Sequence, residues 1–192
     1  MSVQPSDVLD FWFGAPDSPE YGENRKVWFE KSDAFDAEIR ARFGGAVERA
    51  IEGGFAEWQD TPLACLALIV LLDQFPRNLY RGQAKAFAGD PRALALAAQA
   101  VERGFDKQLL PVQRVFLYLP FEHSEDRANQ ERSVALFTPV SAETGYPGWV
   151  DYAVAHRDIV ARFGRFPHRN AALGRDTTAE EAAFLTEPNS SF

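Results

Sequence analysis

The side chains best suited to chemistry gather in three short stretches: DQFPRNLYRG at 73–82, PFEHSED at 120–126, and GRFPHRN at 164–170 followed by LGR at 173–175. The candidate ligand-binding residues they supply are Arg77, Asn78, Arg81, Glu122, His123, Glu125, Arg165, His168, Arg169, Asn170 and Arg175. Arginine fits the binding of a phosphate or carboxylate because its planar fork meets two oxygens at once. Residues 162–175 hold Arg162, Arg165, Arg169 and Arg175 and no acid, whereas 120–131 hold Glu122, Glu125, Asp126 and Glu131 against the single base Arg127. The two stretches therefore complement each other in charge. Asp73 closes an apolar run, where an ionised carboxylate needs a partner, and Arg77 stands four residues on.

Two readings of these residues stay open. One is a network of Arg–carboxylate pairs that ties helix ends together. The other is a pocket in which surplus Arg and His bind a small anion or a peptide end. The chain has three histidines, His123, His156 and His168, all in or near the three stretches. A metal held with Glu122 or Glu125 is conceivable. No His-Glu-x-x-His or Cys-x-x-Cys spacing is present, however, and no metal or other cofactor is assigned. No nucleophile elbow, Walker loop or dinucleotide fingerprint appears, so no catalytic residue is named. Ser124 beside His123 reads as a helix N-cap.

Each stretch contains a proline at the end of an apolar helix, Pro76, Pro120 and Pro167, where carbonyls one turn earlier lose their donors. The helices that carry the stretches follow from periodicity and capping. Ser6 caps a helix with Val8, Leu9, Phe11, Trp12 and Phe13. Ser32 or Asp33 caps another whose Phe35, Ile39, Phe43, Val47 and Ile51 recur four apart, until Gly53 and Gly54 stop it. Thr61-Pro62 opens the run LACLALIVLL, apolar on all sides and so expected at the core. Asp90-Pro91 opens a helix that Gly104 closes. Pro111 begins another, Ser124 caps the next, and 138–147 reads as a loop. A further helix runs from about Trp149 to Phe163 with Gly164 as its C-cap. Thr178 and Glu181 form a capping box for the last. About eight helices and little or no sheet are expected in one domain, 1–192. Short connections imply antiparallel neighbours, and alternating directions would bring all three stretches to one end.

Composition agrees with a folded helical chain. Hydrophobic residues make up 46% of the 192, with 16 Phe, 4 Trp and 5 Tyr, enough to bury a core. The net charge of −8 argues against a nucleic-acid or anionic-membrane partner, since both require a cationic face. The apolar run 63–72 is about half of a membrane span. Residues 1–5 lack a leader pattern, so no signal peptide is expected. With a single cysteine, Cys65, read as a buried small hydrophobe, the expected location is the cytoplasm. Trp12, Phe13, Trp28 and Phe29 read as packing of the N-terminal helices, with a subunit contact as the alternative. Oligomeric state is otherwise open.

Four motifs in order, DVLDFWFG at 7–14, LLDQFPRNLYRG at 71–82, FLYLPFEHSED at 116–126 and RFGRFPHRNAALGR at 162–175, resemble the family catalogued as domain of unknown function 924. The resemblance implies an all-α fold similar to the tetratricopeptide-like superfamily, an array of helical hairpins. It implies no activity and no catalytic residues. The stretch PRALALAAQAVERGFD at 91–106 is itself similar to a tetratricopeptide helix, although no 34-residue period recurs. The expected function is a binding or interaction module for a small anion, a peptide end or a protein partner. The alternatives are an enzyme on a small anionic substrate, with His as acid/base and Arg as clamps, and a purely structural domain.

Overall fold

The computed structural model describes residues 3–191. Residues 1 and 2, on which the signal-peptide reading partly rests, lie outside them. Among the described residues every regular element is helical and no strand forms. The chain divides into two compact units, Met1–Arg81 with Lys85–Pro120, and Gly82–Ala84 with Phe121–Phe192.

The first unit is built around an aromatic cluster. Helix α1 (Pro5–Phe13) buries Val8, Leu9, Trp12 and Phe13, and α2 (Asp33–Ile51) buries Ile39, Phe43 and Val47 of its four-residue stripe. Trp12 stacks on Trp28 and meets Phe75 and Phe116 edge-on, with ring centroids 5.5–6.1 Å apart. Trp28 lies 4.6 Å from Phe116. Packing within the unit thus accounts for Trp12, Phe13 and Trp28, while Phe29 stays 62% exposed. The last carbonyls of α1 have no helical partners, and the Arg25 guanidinium and the Trp28 indole donate to those of Phe11 and Trp12 instead.

The apolar run forms α3 (Pro62–Ile69), buried on all sides from Cys65 onward, while Leu63 stays 47% exposed. It does not stop before Pro76. A π-helical turn, Val70–Gln74, carries the chain into α4 (Phe75–Leu79). The wider turn bonds Phe75 N–H to the Val70 carbonyl, and Pro76 then falls in the first turn of α4, where its missing donor costs little. The continuous helix Pro62–Leu79 is long and apolar enough to cross a membrane, but 67% of that window is buried within the protein, as in a core helix. Cys65 is buried, and desolvation pushes its thiol up to about 11.

Helix α5 (Asp90–Glu102) follows, capped by Gly89 rather than Asp90 because the Asp90 carboxylate is engaged by Arg77. Helix α6 (Pro111–Glu122) includes Pro120 instead of ending before it, and its last residues, Phe121 and Glu122, belong to the second unit.

In the second unit α7 (Arg127–Thr144) packs on α8 (Gly148–Phe163). Two expectations change here. The N-cap of α7 is Asp126, which accepts from Asn129 N–H, while Ser124 Oγ accepts from Asp126 N–H in the turn before it. Residues 138–144 also remain helical despite Pro139, because Phe137, Val140 and Ser141 are buried on one face and that packing outweighs one lost backbone bond. Ser141 Oγ accepts from Val150 N–H and so completes the start of α8. Gly164 ends α8 at φ 71°, and the short α9 (Asn170–Leu173) and α10 (Ala179–Phe184) follow. Ile159, Val160, Phe166 and Phe184 form the core beneath them.

Candidate functional site

The first stretch is held entirely by carboxylates of the first unit. Arg77 forks onto Asp90 at 2.9 and 3.0 Å and lies 3.3 Å from the fully buried Asp73. Arg81 grips Asp36 at 2.7 and 3.0 Å, and Asn78 donates to the same carboxylate at 2.8 Å. Burial alone would raise the Asp36 pKa, but the bonds from Arg81 and Asn78 outweigh it and hold the group below its usual value. These three residues close helix ends and have the geometry of a lock.

The second and third stretches meet in the second unit. Glu125 accepts two bonds from Arg175, at 2.7 and 2.9 Å, and a third from Phe166 N–H at 2.8 Å. Arg175 also donates to the Phe166 carbonyl and to Asn170 Oδ1, each at 3.0 Å. Asn170 in turn donates to Glu181 at 3.3 Å, and Arg165 forks onto Glu181 at 2.6 and 2.8 Å. Glu181 completes the capping box with Thr178. The Arg165 bonds, with the Thr178 N–H behind them, hold the Glu181 carboxyl at about 2. Glu125 also sits low: burial opposes ionisation, and the bonds from Arg175 and Phe166 N–H prevail.

This cage fixes Phe166, and two of the histidines lie against its buried ring, with the third beside one of them. His156 lies 5.5 Å from the Phe166 ring and His168 lies 5.6 Å from it, centroid to centroid, with His123 6.2 Å from His156. Arg169, 7% exposed, lies with its guanidinium carbon 4.5 Å from the centre of the Phe166 ring. Glu122, 4% exposed, brings a carboxylate oxygen to 3.4 Å from His156 Nδ1. His123 and His168 are half-buried and keep the group open to solvent.

His156 Nδ1 donates to the Tyr152 carbonyl at 2.8 Å, which leaves the lone pair on Nε2. Burial, reinforced by His123, His168 and Arg169, pushes its pKa down to about 3, so the ring is neutral at pH 7. Glu122, His123 and His156 also bring one ligand atom each to within 4.8 Å of the others. Gln130, wholly buried, secures the turn that bears two of them by donating to the Glu122 and Ser124 carbonyls, each at 2.6 Å.

Of the sequence candidates, Glu122, His123, Glu125, Arg165, His168, Arg169, Asn170 and Arg175 are brought together in the second unit, whereas Arg77, Asn78 and Arg81 are held by carboxylates of the first. His156 was outside the candidate set. Its signal was its place as the third histidine, on the buried face of α8. Glu181, Asp36, Asp90 and Gln130 were also missed, because nothing in their local sequence points to distant partners.

A family of bacterial proteins of unknown function, DUF924, matches residues 8–189. The chain belongs to this family. A solved structure of a protein of unknown function from Agrobacterium tumefaciens is 42% identical over 94% of this chain and 96% of its own, with a TM-score of 0.84. No curated protein matches the chain. The structural likeness agrees with the all-α fold, and neither comparison supplies an activity.

Proposed function

We propose that the protein is a binding module for a small anion, a phosphate or a carboxylate, received at the histidine cluster of the second unit. The observation that carries this reading is the gathering of His156, His168 and Arg169 around Phe166, with His123 beside His156. Cationic and hydrogen-bond-donating groups from three separate segments meet there, with two of the rings reaching solvent. The arginines elsewhere in the motifs act as locks on carboxylates: Arg77 and Arg81 brace the first unit, and Arg165 and Arg175 brace the second, which bears the cluster. A cytoplasmic location, with no nucleic-acid or membrane partner, fits the acidic balance and the single buried thiol.

A thermal-shift screen with inorganic phosphate, phosphorylated metabolites and small carboxylates tests this reading. A stabilising anion should act on the wild type and on Arg81→Ala, and should lose its effect on His123→Ala. If no anion shifts the wild type with or without added divalent metal, or if His123→Ala responds equally, the reading fails.

A further inference from the structure

We infer that Glu122, His123 and His156 form a site for one divalent transition metal of the zinc class, and that the metal is the receptor for the anion. This rests on the binding role proposed for the histidine cluster. Two imidazoles and one carboxylate are a borderline donor set, suited to zinc and its neighbours rather than to magnesium or calcium. One ligand atom from each residue already lies within 4.8 Å of the other two.

Two features of the surroundings favour this assignment. A metal-binding histidine ordinarily donates its second ring N–H to a carbonyl or carboxylate, which fixes the tautomer. His156 Nδ1 does so to Tyr152, with the Glu122 carboxylate 3.4 Å away, so its ring is oriented and its tautomer fixed. The backbone carrying the other two ligands is also clamped, since Gln130 bonds the Glu122 and Ser124 carbonyls. Glu125, the other carboxylate considered from the sequence, is engaged by Arg175 and Phe166 N–H and is not a ligand.

Three protein ligands leave a position open on a four-coordinate metal. A dication beside one carboxylate carries a net positive charge, and Arg169, which acts electrostatically on His156, adds another. An anionic ligand in the open position neutralises the excess. The metal thus supplies the bond to the anion, while Arg169 and His168 flank it.

The test uses the full chain, stripped with a chelator and then titrated with zinc chloride by calorimetry, with cobalt as a spectroscopic probe. One zinc per chain is expected, with a raised melting temperature and the visible bands of four-coordinate cobalt. Glu122→Gln and His123→Ala should each weaken zinc binding by more than about 100-fold, beyond the loss that outer partners of a metal site typically cause. Arg81→Ala should bind zinc normally. Circular dichroism checks the fold of each variant, and the half-buried His123→Ala decides the matter if Glu122→Gln does not fold. Absence of stoichiometric zinc binding, or equal binding by folded His123→Ala, overturns the proposal. Phosphate is then titrated with and without zinc. Phosphate that binds the cluster equally well without metal overturns the metal as receptor and leaves the anion site standing. Phosphate that binds in neither state removes both.

Discussion

Glu125 and Arg175 stand fifty residues apart in the chain and exchange two hydrogen bonds, with Phe166 supplying a donor to one and an acceptor to the other. Complementary charge in 120–131 and 162–175 made this meeting legible in advance, although not which acid would take which base. Arg175→Ala removes four bonds and leaves a half-buried carboxylate with one backbone donor. We expect a loss of about 2–3 kcal/mol in chemical denaturation, between the values for exposed and buried pairs. A loss below about 0.5 kcal/mol would show that the cage does not brace the unit. Glu181 gives a separate test. Its folded pKa of about 2 lies below the ordinary 4.5, so its stabilisation is complete above pH 4.5 and disappears as the pH falls toward 2. Melting temperature should therefore fall over that window in the wild type and fall less steeply in Glu181→Gln. Parallel curves would contradict the assignment.

Helix caps were legible in part, because their signals are local: Ser32, Gly164 and the Thr178–Glu181 box lie where spacing predicts, whereas Gln4, Gly89 and Asp126 are the N-caps where Ser6, Asp90 and Ser124 were expected. The prolines were less legible. Pro76 and Pro120 read as helix ends and Pro139 as part of a loop, yet each lies within a helical stretch, since burial on the helix face compensates for one missing donor. At Pro76 the compensation involves a neighbour. A regular helix would bond the Leu72 carbonyl to residue 76, which has no N–H. Gly89 packs so close to that carbonyl that a Cβ there would stand 2.2 Å from its oxygen. Gly89 has φ −85°, so the requirement is space and not a left-handed backbone. Gly89→Ala should destabilise the protein by roughly 3 kcal/mol, the upper end of ordinary overpacking. An unchanged denaturation midpoint would show that the π turn can shift at little cost.

The whole chain carries a net charge of −8, and its longest apolar helix is largely buried within the protein. Neither property favours an anionic polymer or an anionic lipid surface as partner. In co-sedimentation with phosphatidylserine vesicles the protein should stay in the supernatant at physiological salt, and recovery with the vesicles would contradict that. Against this acidic background, a cluster that attracts an anion has to be local and assembled from distant segments. The sequence showed the three histidines near one another and as a conceivable metal site, but not their arrangement: His123, His156 and His168 follow α6, lie within α8 and follow α8, and only the packing of His156 and His168 on Phe166, with His123 beside His156, joins them.

Three histidines give three ring signals in a long-range nitrogen–proton spectrum, assignable from single variants. Titrating the zinc-loaded protein with inorganic phosphate and following those signals tests the central claim most directly. The His123 and His168 resonances should move together and saturate at one phosphate per chain, with His156 held in its Nδ1-protonated tautomer throughout. Three signals that stay in place at saturating phosphate would contradict the account.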